Sequence, residues 1–78
     1  MTMTVPGRAD LADDGWEPAD EDLAILRLLA EGFTTDVIAA RVGLSERTVR
    51  RRLRQCADEL GLDSSIEVVV HAVRRGVI

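Results

Sequence analysis

An all-α domain of four helices is predicted by three features of this 78-residue sequence: apolar residues at helical spacing, glycines placed where helices would stop, and no strand-like alternation. From Pro18 onward the glycines at 32, 43, 61 and 76 divide the chain into four segments. The first is expected to run from about Asp20 to Glu31, with Asp20, Glu21 and Asp22 at its positive end and Ile25, Leu26 and Leu29 on its buried stripe. The second begins near Thr35, where Thr34 or Thr35 is suited to cap free amides, and buries Val37, Ile38, Ala39 and Val42. In Gly43-Leu44-Ser45 the glycine gives a tight turn, Leu44 enters the core and Ser45 caps a third helix running to Leu60. The fourth opens on Ser64-Ser65-Ile66-Glu67, a capping-box pattern, and continues to about Arg75.

Length and composition exclude several functions. A chain of this size buries only about 60% of its unfolded surface, which leaves little room for an enclosed catalytic cleft, so no enzyme is expected. His71 and Cys56 are the only His and Cys, so neither a four-ligand zinc site nor an internal disulfide can form, and no cofactor is expected. A lone cysteine with no leader segment points to a reducing, cytoplasmic location. The apolar run from Ile66 to Val73 is interrupted by Glu67 and His71 and is too short to span a bilayer.

The net charge of −4 conceals a strong asymmetry. Residues 1–22 carry seven acids against Arg8, whereas residues 41–54 carry six arginines against Glu46. Residues 1–15 contain Pro6, Gly7 and Gly15 with few large apolar side chains, and read as a flexible acidic tail before a domain at 16–78. Trp16 is expected to plug the start of the core.

On the third helix, Val49, Leu53, Cys56 and Leu60 share one stripe, and Arg47, Arg50, Arg51 and Arg54 lie roughly 140° away. Crowded like charges oppose folding, so a partner anion is the natural explanation for a face of one sign. Arginine also offers paired donors that fit phosphate and the O6/N7 edge of guanine, and an α-helix fits the major groove of double-stranded DNA. Cys56 falls on the packed stripe and reads as a small buried hydrophobe. His71 is expected to face solvent or a dimer seam, since it lacks the pocket and oxyanion donors that hydrolysis would need. Arg41 is expected either to join the phosphate contacts or to pair with Asp36.

The short helix, tight turn and longer helix form a helix-turn-helix pattern. Together, Leu26-Arg27-Leu28-Leu29-Ala30-Glu31-Gly32, Ile38-Ala39, Val42-Gly43-Leu44-Ser45, Thr48-Val49, Leu60-Gly61 and Ser64 resemble the LuxR-type, or GerE-like, DNA-binding domain over about Pro18 to Ile78. The resemblance, closest to stand-alone members, implies a sequence-specific transcriptional regulator with Arg50, Arg51 and Arg54 at base edges. Arg47, Thr48 and Arg52, with Ser45 and Thr35, would then hold phosphates. It also implies a homodimer formed through the fourth helix, where Val69, Val70 and Val73 add to an apolar excess. The chain departs from the family pattern at Pro18-Ala19, which leaves Asp20 as the substitute cap, at Arg52, and at Asp58 and Glu59 late in the third helix. Two other readings share these features: an adaptor or antagonist that contacts RNA polymerase or another regulator, and a sigma-region-4-like module, which the Leu60-Gly61 stop fits less well.

Overall fold

The computed structural model describes residues 15–78; the acidic tail expected at 1–15 lies almost wholly outside them. Four helices follow in order: α1 (Asp20–Ala30), α2 (Thr35–Val42), α3 (Glu46–Leu60) and α4 (Ser65–Arg75). Each of α2, α3 and α4 packs against α1, and α3 also packs against both α2 and α4. The core is built from Ile25 and Leu26 of α1, Ile38 and Ala39 of α2, Val49, Leu53, Cys56 and Ala57 of α3, and Val68, Val69 and Ala72 of α4.

The helix ends follow one rule. Phe33 N donates to Leu28 O at 3.2 Å, Leu62 N to Ala57 O at 2.8 Å and Val77 N to Ala72 O at 3.1 Å, the six-residue closure of a Schellman motif. Leu44 N closes α2 in the same way, on Ala39 O at 3.0 Å. These four donors are also apolar side chains packed against the core, so each stop signal is also a packing anchor. At Gly43, φ of 77° lies in the left-handed region, where a Cβ would be strained, and this turn sets the approach of α3 to α2.

The starts of the helices are less uniform. Ser45 caps α3 as expected, with its Oγ accepting from Thr48 N at 3.1 Å and donating to Thr48 Oγ1 at 2.9 Å. Ser45→Ala should therefore lower stability by about 1 kcal/mol in a thermal melt, whereas no change would show that the cap is replaceable. The α4 box is displaced by one residue: Ser64 Oγ accepts from Glu67 N at 3.3 Å, but Glu67 Oε1 accepts from Asp63 N at 2.8 Å rather than from Ser64 N. Two expectations are corrected. Ala19, not Asp20, occupies the cap position of α1, without a side-chain hydrogen bond. Thr34 stands at the cap position of α2, but its hydroxyl donates to Asp36 Oδ1 instead of capping an amide.

Trp16 is 4% exposed and fills the core beside α4, as its position predicted. Its ring meets His71 edge-on at 5.3 Å, and the Arg75 guanidinium lies 5.9 Å from the ring centroid while donating to Trp16 O. His71 is therefore half-buried against an aromatic ring rather than fully solvent-facing. Val69 is also corrected: at 8% exposure it belongs to the core of one chain, whereas Val70 and Val73 are exposed at 44% and 54%. Ile66, which sequence reasoning did not place in the dimer set, is more exposed still, at 62%.

Candidate nucleic-acid interface

The third helix positions the charged side chains. Burial of Val49, Leu53 and Cys56 fixes its rotation and turns Arg47, Arg50, Arg51 and Arg54 outward, where all four are exposed. They line an open groove of about 730 Å³, which extends from Thr35 at the start of α2 to Asp63, Ser64 and Ser65 at the start of α4. Arg47, Arg50, Arg51 and Arg54 thus meet where sequence reasoning placed them. The contribution of the α3–α4 connection was missed, because it depends on how α4 folds back across α3.

Three of the four groove arginines make no ion pair among the described residues. Among the described residues, salt bridges are made by Arg50 and Arg52, and none by Arg47, Arg51 or Arg54. Arg50 Nη2 contacts Glu46 Oε2 at 2.7 Å, and the same oxygen accepts from Thr35 Oγ1 at 2.9 Å. The Arg50 hydrogen bond, and after it that of Thr35, holds the Glu46 carboxyl below its usual range. Asp58, one turn beyond Arg54, also lines the groove and places a carboxylate at its far end.

The remaining expected contacts divide. Thr48 is half-buried and joined to Ser45 at the start of α3, so both belong to the cap that borders the arginine face. Thr35 lines the groove while its hydroxyl is given to Glu46. Arg52, expected among the phosphate donors, points elsewhere: Nη2 lies 2.7 Å from Glu21 Oε1 and Nη1 lies 3.0 Å from Asp22 Oδ1. It joins α3 to the acidic start of α1 and does not line the arginine groove. Arg41 lies over the Phe33 ring, 4.4 Å from its centroid, a cation–π contact that sequence reasoning did not anticipate.

No group of three or more His, Cys, Asp or Glu side chains among the described residues is arranged to hold a metal ion. No helix among them is long and apolar enough to cross a membrane. Burial pushes the Cys56 thiol up to about 11, so it stays protonated and poorly nucleophilic near neutral pH. Its reaction with a thiol reagent should be far slower in the folded chain than in urea; equal rates would show that the thiol is accessible.

A short helix, a left-handed glycine turn and a capped helix that exposes a row of guanidiniums define a helix-turn-helix domain. A homeodomain-like domain matches residues 23–65, more than half of the sequence, and the chain belongs to that family. It is similar to the transcriptional regulatory protein YdfI of Bacillus subtilis, 34% identical over 59 residues, covering 76% of this chain and 28% of that protein. A Mycobacterium tuberculosis protein named as an HTH-type transcriptional regulator, Rv0890c, is 38% identical over 65 residues, 80% of this chain and 7% of that one. The bialaphos biosynthetic pathway regulatory protein of Streptomyces hygroscopicus is 34% identical over 59 residues, 76% of this chain and 23% of its own length. The chain therefore spans less than a third of each of these relatives, all named as regulators and none as an enzyme. No solved structure matches significantly.

Proposed function

We propose that this chain is a DNA-binding module of a transcriptional regulator, of the LuxR type, which inserts α3 into the major groove. The observation that carries the reading is the exposed row Arg47, Arg50, Arg51 and Arg54, three of which have no acidic partner among the described residues. Arg50, Arg51 and Arg54 are assigned to base edges, where arginine pairs with guanine O6 and N7. Arg47, with Thr48, Ser45 and Thr35 at the starts of α3 and α2, is assigned to the flanking phosphates. Arg52 is left out of the DNA contacts because Glu21 and Asp22 already engage it.

Homodimerisation through α4 is part of the same proposal. Ile66, Val70 and Val73 are spaced at i, i+4 and i+7 and exposed together, which supports an apolar seam on the side of α4 away from the core. Two copies joined there would offer two α3 helices to successive major grooves, about 34 Å apart.

The test is binding of the chain to a labelled duplex by fluorescence anisotropy as salt is varied. Affinity is expected to fall by orders of magnitude between about 50 and 200 mM salt, as phosphate-bound counterions are displaced. No binding at low salt would remove DNA as the ligand and direct the arginine groove toward an acidic protein partner.

A further inference from the structure

Within the arginine face lies one acid, Glu46. Glu46 is the only carboxylate between Asp36 and Asp58 in the sequence. An acid in the first turn is favoured by the helix dipole, but that effect requires no particular side-chain direction. Here a single carboxylate oxygen is committed twice, to the Thr35 hydroxyl at 2.9 Å and to Arg50 Nη2 at 2.7 Å. It therefore ties the start of α2 to the start of α3 and fixes one guanidinium out of four. Arg50 keeps 67% of its side chain exposed, and most of its five N–H donors remain available to a second partner. An unrestrained arginine can swing to whichever phosphate is nearest, whereas a restrained one presents its donors in one direction.

We propose that Glu46 is a positioning residue for base recognition, holding the Arg50 guanidinium toward the groove floor of the DNA and withholding its charge from the phosphates. The inference rests on the DNA-binding reading above. It has two consequences of opposite sign: Glu46 weakens binding to arbitrary DNA and sharpens the choice between sequences.

The experiment measures the wild-type chain, Glu46→Ala, Arg50→Ala and the double variant by anisotropy across a salt series. The probes are a duplex recovered by the wild-type chain from a randomised library and a shuffled duplex of the same composition. Glu46→Ala is expected to bind the shuffled duplex more tightly at low salt and to steepen the salt dependence by about 0.9, the increment for one added phosphate contact. It is also expected to reduce discrimination between the two duplexes by about tenfold, within the range of one bidentate base contact. Arg50→Ala should lose the same discrimination, and adding Glu46→Ala to it should change nothing further, since the two act as one unit. Glu46→Gln, which keeps an acceptor at the same reach, should restore the greater part of the lost discrimination.

A Glu46→Ala effect that is equal on both duplexes, or that persists undiminished without Arg50, would overturn the proposal and leave Glu46 as a helix-start charge. A Gln variant indistinguishable from Ala in discrimination would overturn it as well. A wild-type chain that binds neither duplex would instead overturn the DNA reading on which it rests, and one that binds both equally would overturn the proposal by removing the discrimination that Glu46 is held to sharpen.

Discussion

Arg54→Ala is expected to weaken binding to a preferred duplex by about 1–3 kcal/mol while changing affinity for an unrelated duplex little. The reason is its position. Arg54 lies one turn beyond Arg50, about 6 Å further along the helix axis, on the exposed face of α3 opposite the core. It makes no salt bridge among the described residues, so its guanidinium need not leave a partner there in order to meet a base. A residue of this kind that reads a base contributes mainly at the correct site, whereas one that holds a phosphate contributes everywhere. Comparing the variant on selected and shuffled duplexes separates the two roles. Equal losses on both would move Arg54 from base reading to phosphate binding.

The largest effect on stability is expected at Trp16. Removing a buried Trp side chain typically costs about 3–5 kcal/mol, through lost burial and the cavity left behind. A single core in a chain of this size rarely supplies more than about 3–5 kcal/mol in all. Trp16 is 4% exposed, stands on the His71 ring and, through its carbonyl, receives the Arg75 guanidinium, so it clamps the segment before α1 onto α4. Trp16→Ala should therefore leave the domain largely unfolded at 25 °C, seen as loss of the helical circular dichroism signal or of its cooperative urea transition. A variant with an unchanged midpoint would show that the core closes without Trp16.

The fold was readable in the sequence because its strongest signals are local. Each glycine stop is followed by an apolar residue that packs on the core, so boundaries and burial are written in adjacent positions such as Gly61-Leu62 and Gly76-Val77. The row Arg47, Arg50, Arg51 and Arg54 was readable for the same reason: helical rotation alone opposes it to Val49, Leu53 and Cys56. What the sequence hid depends on neighbouring elements. Arg52 follows Arg51 directly but falls beside the apolar stripe, where α1 brings Glu21 and Asp22 within reach, and only the packing of α1 on α3 reveals those partners. Rotation about α3 already separated Arg52 from the other arginines, whereas the family pattern drew it among the phosphate donors. Val69 and Val70 are adjacent and chemically alike, and the placement of α4 against α1 and α3 alone decides that one is core and the other surface. The Thr35–Glu46–Arg50 chain joins residues from two helices, so the sequence shows Glu46 only as the one acid set against six arginines.

The two charged faces of α3 have different energetic roles. The Arg52 pairs with Glu21 and Asp22 are partly exposed, and such pairs contribute only modestly to stability. Their main consequence is orientation, since they join the start of α1 to the side of α3 and leave the opposite side to face a ligand. On that opposite side Glu46 offsets only one of the four arginines, Arg50, among the described residues, and a polyanion there would relieve the remaining repulsion.

The most direct measurement is an amide and arginine side-chain NMR titration of the chain with a short duplex. The largest shifts are expected on Arg47, Arg50, Arg51 and Arg54 and on Thr35 at the groove edge, with Arg52 and the core of α4 little affected. Shifts concentrated on Ile66, Val70 and Val73, or an unchanged spectrum at low salt, would contradict the assignment of α3 as the DNA-binding surface.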